Sequence, residues 1–444
     1  MKIPLDKDEY QYISDDTSDI DSQTLFLKTS QNTPYYDKLE EKPTYISPEA
    51  LLSFWDLSAM KVVGVTGTNG KTTVTAGIYS FLLDLGESPA LQGTRGLFAN
   101  EVRIEDKSMT TPSILETLYN MKQCSMMGCA YFIMEVSSHA IAQNRIEGLK
   151  FALKIHTNVT SDHLDYHGTV EEYRRVKSLF FADESPKLLN KDDLKSITYN
   201  RIGAQSYGVD EPATFKVQAF SLLNGITAGI KHLKVEETFH SPMVGLFNMF
   251  NLMASIGAVK MLTNKPLLEI CEVVEHFAGV AGRMEVVSQN PLVIVDFAHT
   301  QDGMYAVLDS MKDRDISVVF GAGGNRDKAK RPLMGAVAGR YANKIYVTSD
   351  NPRDEVAEYI LEDILVGLHG KDSVIATPDR KLAIKMALEA LQENEVLLIL
   401  GKGDEEYQEI KGKKYPFDDR QVVRELLGIE NVTPIITPPT PKKS

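Results

Sequence analysis

Apolar and polar positions along the chain alternate in blocks that predict strands and amphipathic helices. The stretch KVVGVTGTNGKTTVTAGIYSFLLDLG, which begins at Lys61, has β-branched residues first, then a glycine-rich loop, then apolar residues at helical spacing. The later runs YFIMEV and LKIHTNV predict two more buried strands. We therefore predict a strand, a loop and a helix in direct succession, within a parallel sheet.

The second half of the chain repeats this alternation on a smaller scale. Beyond residue 280, five apolar runs are mostly separated by helix-length stretches: LVIVDF, ISVVFG, KIYVTS, SVIAT and VLLILG. They predict a second parallel α/β sheet. Residues 1–58 are acidic, with too few apolar clusters for a robust core, and residues 431–444 are proline-rich and basic. We predict an α/β protein of three domains, 1–58, 59–281 and 282–430, followed by a disordered tail.

The composition and charge of the chain argue against several classes of function. The chain has 444 residues, 43% of them hydrophobic, and a net charge of −13 from 48 basic and 61 acidic side chains. This excess of negative charge argues against nucleic acid and anionic membranes as partners. The N-terminal sequence MKIPLDKDEY lacks the apolar segment of a signal peptide, and the chain has no run of about 18 apolar residues. We therefore expect a cytoplasmic enzyme whose three cysteines, Cys124, Cys129 and Cys271, are inert thiols.

The glycine-rich loop between the first predicted strand and helix carries the strongest chemical signal. Backbone N–H groups at a helix N-terminus favour a phosphate, Lys71 could reach the outer phosphates of a nucleotide, and the Thr72 hydroxyl could bind Mg²⁺. Val65 stands where the strict phosphate-loop motif has its first glycine, so an ordinary strand-to-helix turn is the alternative. The predicted nucleotide-binding residues of the loop are Gly67, Thr68, Asn69, Gly70, Lys71, Thr72 and Thr73.

Polar side chains follow two of the predicted strands. Glu135 ends YFIMEV, and His163 lies in the turn that follows LKIHTNV. Because ligands collect beyond the carboxyl ends of parallel strands, both are candidate magnesium ligands near the phosphate loop. For His163, a structural turn histidine is the alternative. Lys177 lies beside the apolar stripe of a predicted helix, and the pattern alone favours a solvated lysine there.

A series of motifs lies between about residues 61 and 410. In chain order they are GTNGKTT, MEVSSHAIAQNR, TNVTSDHLDYHGTVEEYRRVKSLF, NMFN, AGRMEVV, VDFAHT, GAGGNRDKAKRP, DNPR and GKGDEEYQ. Together they resemble the motifs of the Mur ligases of peptidoglycan synthesis. Within the family, the similarity is to the members that add the third residue, meso-diaminopimelate, to UDP-N-acetylmuramoyl-L-alanyl-D-glutamate. The resemblance implies a short uridine-binding domain, a central ATP-binding domain and a Rossmann-like C-terminal domain.

The resemblance also implies a reaction. In this family, ATP phosphorylates the terminal carboxylate of the nucleotide-linked peptide, and the amine of the incoming amino acid attacks the acyl phosphate to form an amide. Two Mg²⁺ ions would offset the repulsion between carboxylate and polyphosphate. Thr72, Glu135 and His163 match family metal-site positions, and Lys177 matches the lysine that the family carbamylates to N6-carboxylysine. The implied catalytic residues are Lys71, Glu135, His163 and Lys177.

Three further groups of residues are implied by the same resemblance. Residues matching the site for the nucleotide-sugar peptide are Thr17, Thr110, Thr111, Ser137, Gln143 and Arg145. Residues matching positions around ATP are Asn248, Asn251, Arg283, Asp296 and His299. Residues matching the diaminopimelate site are Arg326, Asp350, Asn351, Arg353, Gly401 and Glu405. In this last group, a guanidinium suits the distal carboxylate of diaminopimelate, and acidic groups suit its distal ammonium.

The sequence departs from the family pattern at two points. Asp404 replaces the usual histidine of GKGHE, and DTS, residues 16–18, replaces the uridine-binding DSR. Three rival functions remain: a lysine-adding ligase, a folylpolyglutamate synthase-like ligase and a nucleotide-binding protein without turnover. In the preferred interpretation the partners are small-molecule substrates, and the chain is a monomer.

Overall fold

The computed structural model describes residues 1–7, 9–106, 109–160, 164–223 and 225–429. Within these ranges, three larger sheets and one hairpin follow one another in chain order, and the mixed α/β fold expected from the sequence is confirmed. The tail predicted from residue 431 lies outside the described residues. In the part of the chain described, every helix is too short or too polar to span a membrane.

The N-terminal unit is a small four-stranded sheet that shares its core with the rest of the chain. Its strands, in spatial order, are β1 (Lys2–Lys7), β2 (Tyr10–Ser14), β3 (Thr24–Leu27) and β4 (Tyr45–Ile46). Its helices are α1 (Thr33–Tyr36) and α2 (Pro48–Phe54), with a 3-10 turn at Thr17–Asp19. Ile13 and Leu27 lie in one apolar cluster with Leu115 and Phe132 of the central unit. This small sheet therefore depends on the central unit for burial.

The central unit is built on an eleven-stranded sheet. Its spatial order is β15-β14-β13-β12-β11-β10-β5-β9-β6-β7-β8. The strands from β13 to β6 in this order pair in parallel, and the pairs at both edges of the sheet are antiparallel. The strands are β5 (Lys61–Thr66), β6 (Pro89–Gly93), β7 (Gly96–Ala99), β8 (Val102–Glu105), β9 (Tyr131–Glu135), β10 (Phe151–His156), β11 (Lys187–Asn190), β12 (Ala204–Gly208), β13 (Phe215–Ser221), β14 (Ile226–His232) and β15 (Val235–Ser241).

Helices cover both faces of the central sheet. They are α3 (Lys71–Asp84), α4 (Ile114–Met126), α5 (Ser138–Ala142), α6 (Leu164–His167), α7 (Val170–Leu179), α8 (Leu246–Leu262) and α9 (Leu267–Val273), with 3-10 turns at Leu194–Ser196 and Val274–His276. Val63 and Val65 of β5 pack in the core beneath α3 and α8, whereas Val62 packs in the core on the opposite face. Burial on both faces explains why this strand is a continuous apolar run.

The C-terminal unit is a six-stranded sheet in the order β16-β17-β21-β18-β19-β20, in which only the β16–β17 pair is antiparallel. Its strands are β16 (Glu285–Gln289), β17 (Leu292–Asp296), β18 (Asp315–Phe320), β19 (Lys344–Thr348), β20 (Val374–Thr377) and β21 (Glu395–Leu400). The hairpin is β22 (Tyr407–Ile410) and β23 (Lys413–Pro416). The helices are α10 (Gln301–Asp309), α11 (Lys330–Tyr341), α12 (Ala357–Leu365), α13 (Arg380–Glu389) and α14 (Asp419–Leu427), with a 3-10 turn at Val366–Leu368. All five predicted apolar runs form strands here.

Candidate active site

The glycine-rich loop connects β5 to α3 and wraps around the first helical residue. Lys71 opens α3, and its Nζ donates to the carbonyl oxygens of Gly67 and Thr68, both at 2.9 Å. Gly70 has φ +85°, and a Cβ there would lie 2.4 Å from Asn251 Oδ1. Only glycine fits this position without displacing its neighbours. The loop therefore presents backbone N–H groups and one ammonium at a helix N-terminus, which suits an anionic phosphate.

The end of β10 holds the loop in this shape. The backbone N–H of Thr68 donates to the carbonyl of Asn158 at 2.7 Å, and the N–H of Asn69 donates to Asn158 Oδ1 at 3.0 Å. Thr157 Oγ1 donates to the Asn69 carbonyl at 2.6 Å. Thr73, one residue beyond Thr72, is buried in α3. The parallel pairing of β5 with β10 thus brings both strand ends to the loop.

Glu135 lies at the carboxyl end of β9 and is bonded directly to the start of α3. Its Oε2 accepts from Thr72 Oγ1 at 3.0 Å, and its Oε1 accepts from the Thr94 backbone N–H at 2.9 Å. Thr94 Oγ1 lies 3.1 Å from Thr110 Oγ1. Thr94 was missed in the sequence because it sits in a plain glycine-flanked turn with no motif of its own. The sequence-predicted residues Thr72, Glu135 and Thr110 therefore form one bonded group.

The oxygen atoms of this group fit a magnesium ion. A hydroxyl and a carboxylate are ligands that Mg²⁺ prefers, and the ion commonly completes its shell with water and substrate phosphates. Within the described ranges, no three His, Cys, Asp or Glu side chains converge as a protein-only cage. His163, the third predicted ligand, lies outside the described residues. Thr72 and Glu135 are therefore the described side chains that could hold the ion.

Lys177 is buried in the protein, so the pattern-based interpretation as a solvated lysine is wrong. Its side chain is 1% exposed, and its Nζ donates to Thr66 Oγ1 at 3.4 Å, where β5 ends. The ammonium also lies 4.9 Å from the ring centre of Tyr173. The Tyr173 hydroxyl is 3.1 Å from Thr68 Oγ1 in the phosphate loop. The helix α7 packs this face against the sheet, which brings the amine beside the loop.

The predicted residues for the nucleotide-sugar peptide form a second bonded group next to Glu135. Thr111 Oγ1 donates to the Glu135 carbonyl at 2.9 Å and accepts from the Ser137 backbone N–H at 3.0 Å. Arg145 Nη1 donates to the Thr111 carbonyl at 3.0 Å, and its Nη2 donates to Gln143 Oε1 at 2.6 Å. Hydroxyls, an amide and a guanidinium are thus grouped at one edge of the sheet, where they could bind carboxylates or phosphates.

Thr17 is placed on a separate element from this group. It begins the 3-10 turn of the N-terminal unit, which the Asp16 carboxylate caps by accepting from the Ser18 N–H at 2.9 Å. Another part of that unit contacts the loop that carries Arg145: Ser30 Oγ donates to Glu147 Oε2 at 2.6 Å. The sequence offered no signal for Ser30, because a serine in a polar loop is unremarkable without its partner.

The residues predicted around ATP lie at the border of the central and C-terminal units. Asn251 Nδ2 donates to Asn248 Oδ1 at 3.0 Å, and Asn251 also borders the phosphate loop at Gly70. The Asp296 carboxylate accepts two backbone N–H groups, each at 2.7 Å, and burial raises the pKa of this carboxyl. The Arg283 guanidinium stacks 4.4 Å from the centre of the Phe297 ring.

His299, also predicted near ATP, is exposed two residues after that ring. Its Nδ1 lies 3.0 Å from the carbonyl of Phe297. The segment from residue 296 to 299 thus presents a carboxylate, an aromatic ring and an imidazole in succession after β17.

Four of the residues predicted for the amino acid meet beyond the ends of β19 and β21. Asn351 Nδ2 donates to Glu405 Oε2 at 2.8 Å. Gly401 has φ +117°, and a Cβ there would lie 2.5 Å from Asp350 Oδ2. A lysine that the sequence interpretation passed over lies at their centre: Lys402 Nζ donates to Asn351 Oδ1 at 3.2 Å and to Glu405 Oε2 at 3.0 Å. Its position within the motif GKGDEE is the one sequence feature that indicates a role in this site.

Arg353 completes this region through a different carboxylate. Its Nε donates to Glu409 Oε2 at 3.2 Å, and its Nη1 donates to the Gly324 carbonyl at 2.7 Å. A Cβ on Gly323 would lie 3.0 Å from Arg353 Nη1 and 3.6 Å from Arg326 Cγ, so both arginines border the same glycine. Arg326 is exposed. Glu409 was missed because it lies in a short polar hairpin beyond the motif.

Comparisons with known proteins match most of the chain. The family model for the Mur ligase middle domain matches residues 65–259, and the model for the Mur ligase, glutamate ligase domain, matches residues 282–403. The chain is 49% identical to UDP-N-acetylmuramoyl-L-alanyl-D-glutamate–2,6-diaminopimelate ligase of Wolinella succinogenes, over 96% of this chain and 99% of that protein. It is 47% identical to the Helicobacter pylori protein of the same name, over 94% of this chain and 95% of the relative.

Solved structures are similar over most of the chain. A structure of a UDP-N-acetylmuramoyl-L-alanyl-D-glutamate–2,6-diaminopimelate ligase has a TM-score of 0.69 at 28% identity, covering 97% of this chain and 98% of that one. Mycobacterium tuberculosis folylpolyglutamate synthase complexed with ADP has a TM-score of 0.62 at 16% identity, covering 80% and 91%, and it shares the fold. With both domain models matched and relatives this similar along nearly its whole length, the chain belongs to the Mur ligase family.

Proposed function

We propose that the chain is an ATP-dependent ligase that adds meso-diaminopimelate to UDP-N-acetylmuramoyl-L-alanyl-D-glutamate through an acyl-phosphate intermediate. The names of relatives that are 47–52% identical to this chain support this activity. The observation that carries the proposal is the grouping of Asp350, Asn351 and Glu405 in one bonded cluster, with Arg353 in the turn that begins there. We further propose that the chain acts in the cytoplasm as a monomer on these small molecules.

ATP would bind at the loop between β5 and α3. Backbone N–H groups and Lys71 would hold its phosphates at the N-terminus of α3, and Asn251 borders the same loop. Thr72 and Glu135 would hold Mg²⁺, which when bound neutralises charge on the phosphoryl group. The arginine at 283 and the carboxylate at 296 come from the C-terminal unit, so nucleotide binding would draw the two units together.

The nucleotide-linked dipeptide would bind beside Glu135. Thr111, Ser137 and Arg145 offer hydroxyls and a guanidinium to its anionic groups. From this edge, its terminal carboxylate could approach the phosphate loop. The oxygen of that carboxylate would attack the outer phosphorus of ATP and release ADP, giving the acyl phosphate.

Lys177 would act in a modified form. Its ammonium would lose one proton, and the neutral amine would add CO₂ and lose a second proton to become a carbamate, so that a positive charge is replaced by a negative one. The buried amine next to Thr66 and the phosphate loop supports this role, because such a group could hold a cation there. Burial also keeps a carbamate from ready exchange with water.

The incoming amino acid would bind beyond β19 and β21. Its reacting amine would attack the carbonyl carbon of the acyl phosphate, and phosphate would leave as the amide forms. The distal carboxylate of diaminopimelate would pair with Arg353, and its distal ammonium with the acidic cluster of Asp350 and Glu405. A lysine substrate would leave Arg353 without this partner, which favours diaminopimelate over the lysine-adding alternative.

One assay separates these functions. Purified protein is supplied with ATP, Mg²⁺, the UDP-linked dipeptide and either diaminopimelate or lysine, and phosphate release is followed together with the mass of the product. We expect release and a tripeptide product with diaminopimelate only. Release with lysine alone would overturn the substrate assignment, while no release with either amino acid would overturn the ligase assignment in favour of folylpolyglutamate-type activity or simple nucleotide binding.

A further inference from the structure

Lys402 is a fully buried ammonium at the centre of the proposed amino-acid site. Its side chain is 0% exposed, in a loop that follows β21 directly. Its Nζ donates to Asn351 Oδ1 at 3.2 Å and to Glu405 Oε2 at 3.0 Å, and it lies 4.0 Å from Asp350 Oδ1. Three residues assigned to substrate binding are therefore linked through one side chain that had no assigned role.

These contacts determine the orientation of the Asn351 amide. Its Oδ1 accepts from Lys402 Nζ at 3.2 Å and from the Glu409 backbone N–H at 2.9 Å, so its Nδ2 faces Glu405. Glu405 Oε2 in turn accepts from both Lys402 and Asn351. Lys402, Asn351 and Glu405 are thus each hydrogen-bonded to the other two, an arrangement that fixes these side chains before a ligand arrives.

The charges of the cluster do not cancel. The two carboxylates of Asp350 and Glu405 face one ammonium, which leaves one negative charge in the cluster. A buried ammonium is costly unless it is paired, and two close carboxylates repel each other unless a cation lies between them. Lys402 satisfies both conditions and still leaves negative charge available to a cationic ligand group.

Lys402 is less exposed to solvent than the carboxylates that it contacts. The Glu405 side chain is 24% exposed and the Asp350 side chain 8%, whereas the Lys402 side chain is 0% exposed. Lys402 is therefore screened by its partners from any ligand that enters the site. Its effect on a ligand has to pass through those partners.

We propose that Lys402 is a positioning residue for the incoming amino acid, a role that rests on the proposed function. It holds Asp350, Asn351 and Glu405 in the arrangement that receives the distal ammonium group, and it does not contact the substrate. Removing its charge would leave the carboxylates of Asp350 and Glu405 without the ammonium that lies between them, and it would remove one of the three hydrogen bonds that hold the Asn351 amide. Affinity for the diamino acid would then fall, while the nucleotide site in the central unit would be unaffected.

The test compares steady-state kinetics of the full-length wild type, Lys402→Met, Lys402→Gln and Lys402→Arg. The matched control is Lys413→Met, which removes an exposed lysine from the neighbouring hairpin. We expect Lys402→Met to raise the KM for diaminopimelate by at least about tenfold, because a buried charged hydrogen-bond donor is lost, with the KM for ATP and for the dipeptide unchanged. Lys402→Arg should recover part of this loss, and the control should match the wild type.

The outcomes separate this proposal from the proposed function. A wild type without ligase activity would overturn the proposed function itself. An active wild type whose Lys402→Met variant loses affinity for ATP and diaminopimelate equally, or keeps both, would overturn the positioning role. Should Lys402→Met fail to fold, Lys402→Gln retains hydrogen-bond donors without the charge and gives the same comparison. If both fail to fold, Lys402 is a structural residue and the proposal is wrong.

Discussion

The Arg95 guanidinium and the Asp404 carboxylate face each other across the boundary between the central and C-terminal units, with Nη1 and Oδ2 3.8 Å apart. Arg95 Nη1 also donates to the carbonyl of Ala281 at 3.0 Å, in the segment that joins the two units. Asp404 stands where the family usually has a histidine, and Arg95 supplies the opposite charge. The pair therefore links the turn after β6, which is bonded to Glu135, to the loop that carries Lys402.

We predict that these two side chains act as one unit. Arg95→Ala and Asp404→Ala should each lower kcat/KM, and the double variant should be no worse than either, with a coupling energy of about 0.5 kcal/mol or more. A double-mutant cycle measured on kcat/KM for diaminopimelate checks this. Lys381→Ala and Glu425→Ala, an exposed pair 2.9 Å apart in the C-terminal unit, form the control cycle. Strictly additive losses in the Arg95 cycle would contradict the coupling.

Removing the amine of Lys177 should abolish activity without unfolding the protein. If a carbamate at this position supports the metal, Lys177→Ala should lose activity that bicarbonate or small carboxylates partly restore, because they supply the missing anion. Phosphate release with and without added acetate or formate measures this. The exposed Lys150→Ala serves as control. Full activity in Lys177→Ala would leave the buried amine with a packing role only.

Arg353 has φ +50°, a left-handed backbone conformation that is unfavourable for arginine, so its side chain and its backbone can be tested separately. Arg353→Ala and Arg353→Gly should both weaken diaminopimelate far more than ATP, since both remove the guanidinium. The glycine variant should have an apparent Tm equal to or above that of the alanine variant, because glycine adopts this conformation at no cost. Thermal unfolding and KM values for both substrates provide the measurements. Equal losses for ATP and diaminopimelate would point to misfolding instead.

The two glycines at residues 70 and 86 offer a matched test of the phosphate loop. Both have positive φ, +85° and +76°, but a Cβ at Gly70 would lie 2.4 Å from Asn251 Oδ1, whereas one at Gly86 would meet nothing within 4 Å. We predict that Gly70→Ala weakens ATP binding by at least about tenfold, or 1.4 kcal/mol. Gly86→Ala should lower stability alone, by about 1 kcal/mol. Nucleotide titration and thermal unfolding of both variants distinguish the effects. Unchanged ATP affinity in Gly70→Ala would be inconsistent with this loop as the phosphate site.

Glu355 should make the stability of the C-terminal unit depend on acid pH. Arg331 and the Asn325 backbone N–H lower the pKa of this carboxyl to about 2 in the folded state, below its usual value of about 4.3. The ionised carboxylate thus contributes stability at neutral pH, and this contribution fades as the pH falls from about 5 toward 2. Glu355→Gln should therefore have a lower apparent Tm than the wild type at pH 7, with a difference that narrows by pH 3.

Thermal unfolding at stepwise pH values measures this effect. The control is Glu389→Gln, which removes an exposed carboxylate 3.8 Å from Lys385 and should change the apparent Tm little at any pH. A difference between the wild type and Glu355→Gln that stays constant from pH 7 to pH 3 would rule out the ionised carboxylate as its source.

Much of the architecture could be predicted because its signals are local. The five apolar runs beyond residue 280 all form strands, and the loop from β5 to α3 has the expected strand-loop-helix context. Burial on both faces makes the inner parallel strands β17, β18 and β21 almost continuously apolar, so these strands are recognisable in the sequence as apolar runs. The dipeptide Asn351-Pro352, of a kind that favours turns, follows the end of β19 at Thr348.

The strands beyond residue 280, the strand-loop-helix succession from Lys61 and the resemblance to the family were predictable from the sequence, since each depends on residues adjacent in the chain. Which polar side chains are buried, and which groups they pair with, depends on tertiary packing. Lys177 is buried because α7 packs the face that carries it against β5. Helical periodicity does not predict this burial, since the lysine lies at the edge of the apolar stripe. Lys402 meets Asn351, 51 positions away, and Arg95 meets Asp404 from another sheet, because strand order brings distant loops to one edge.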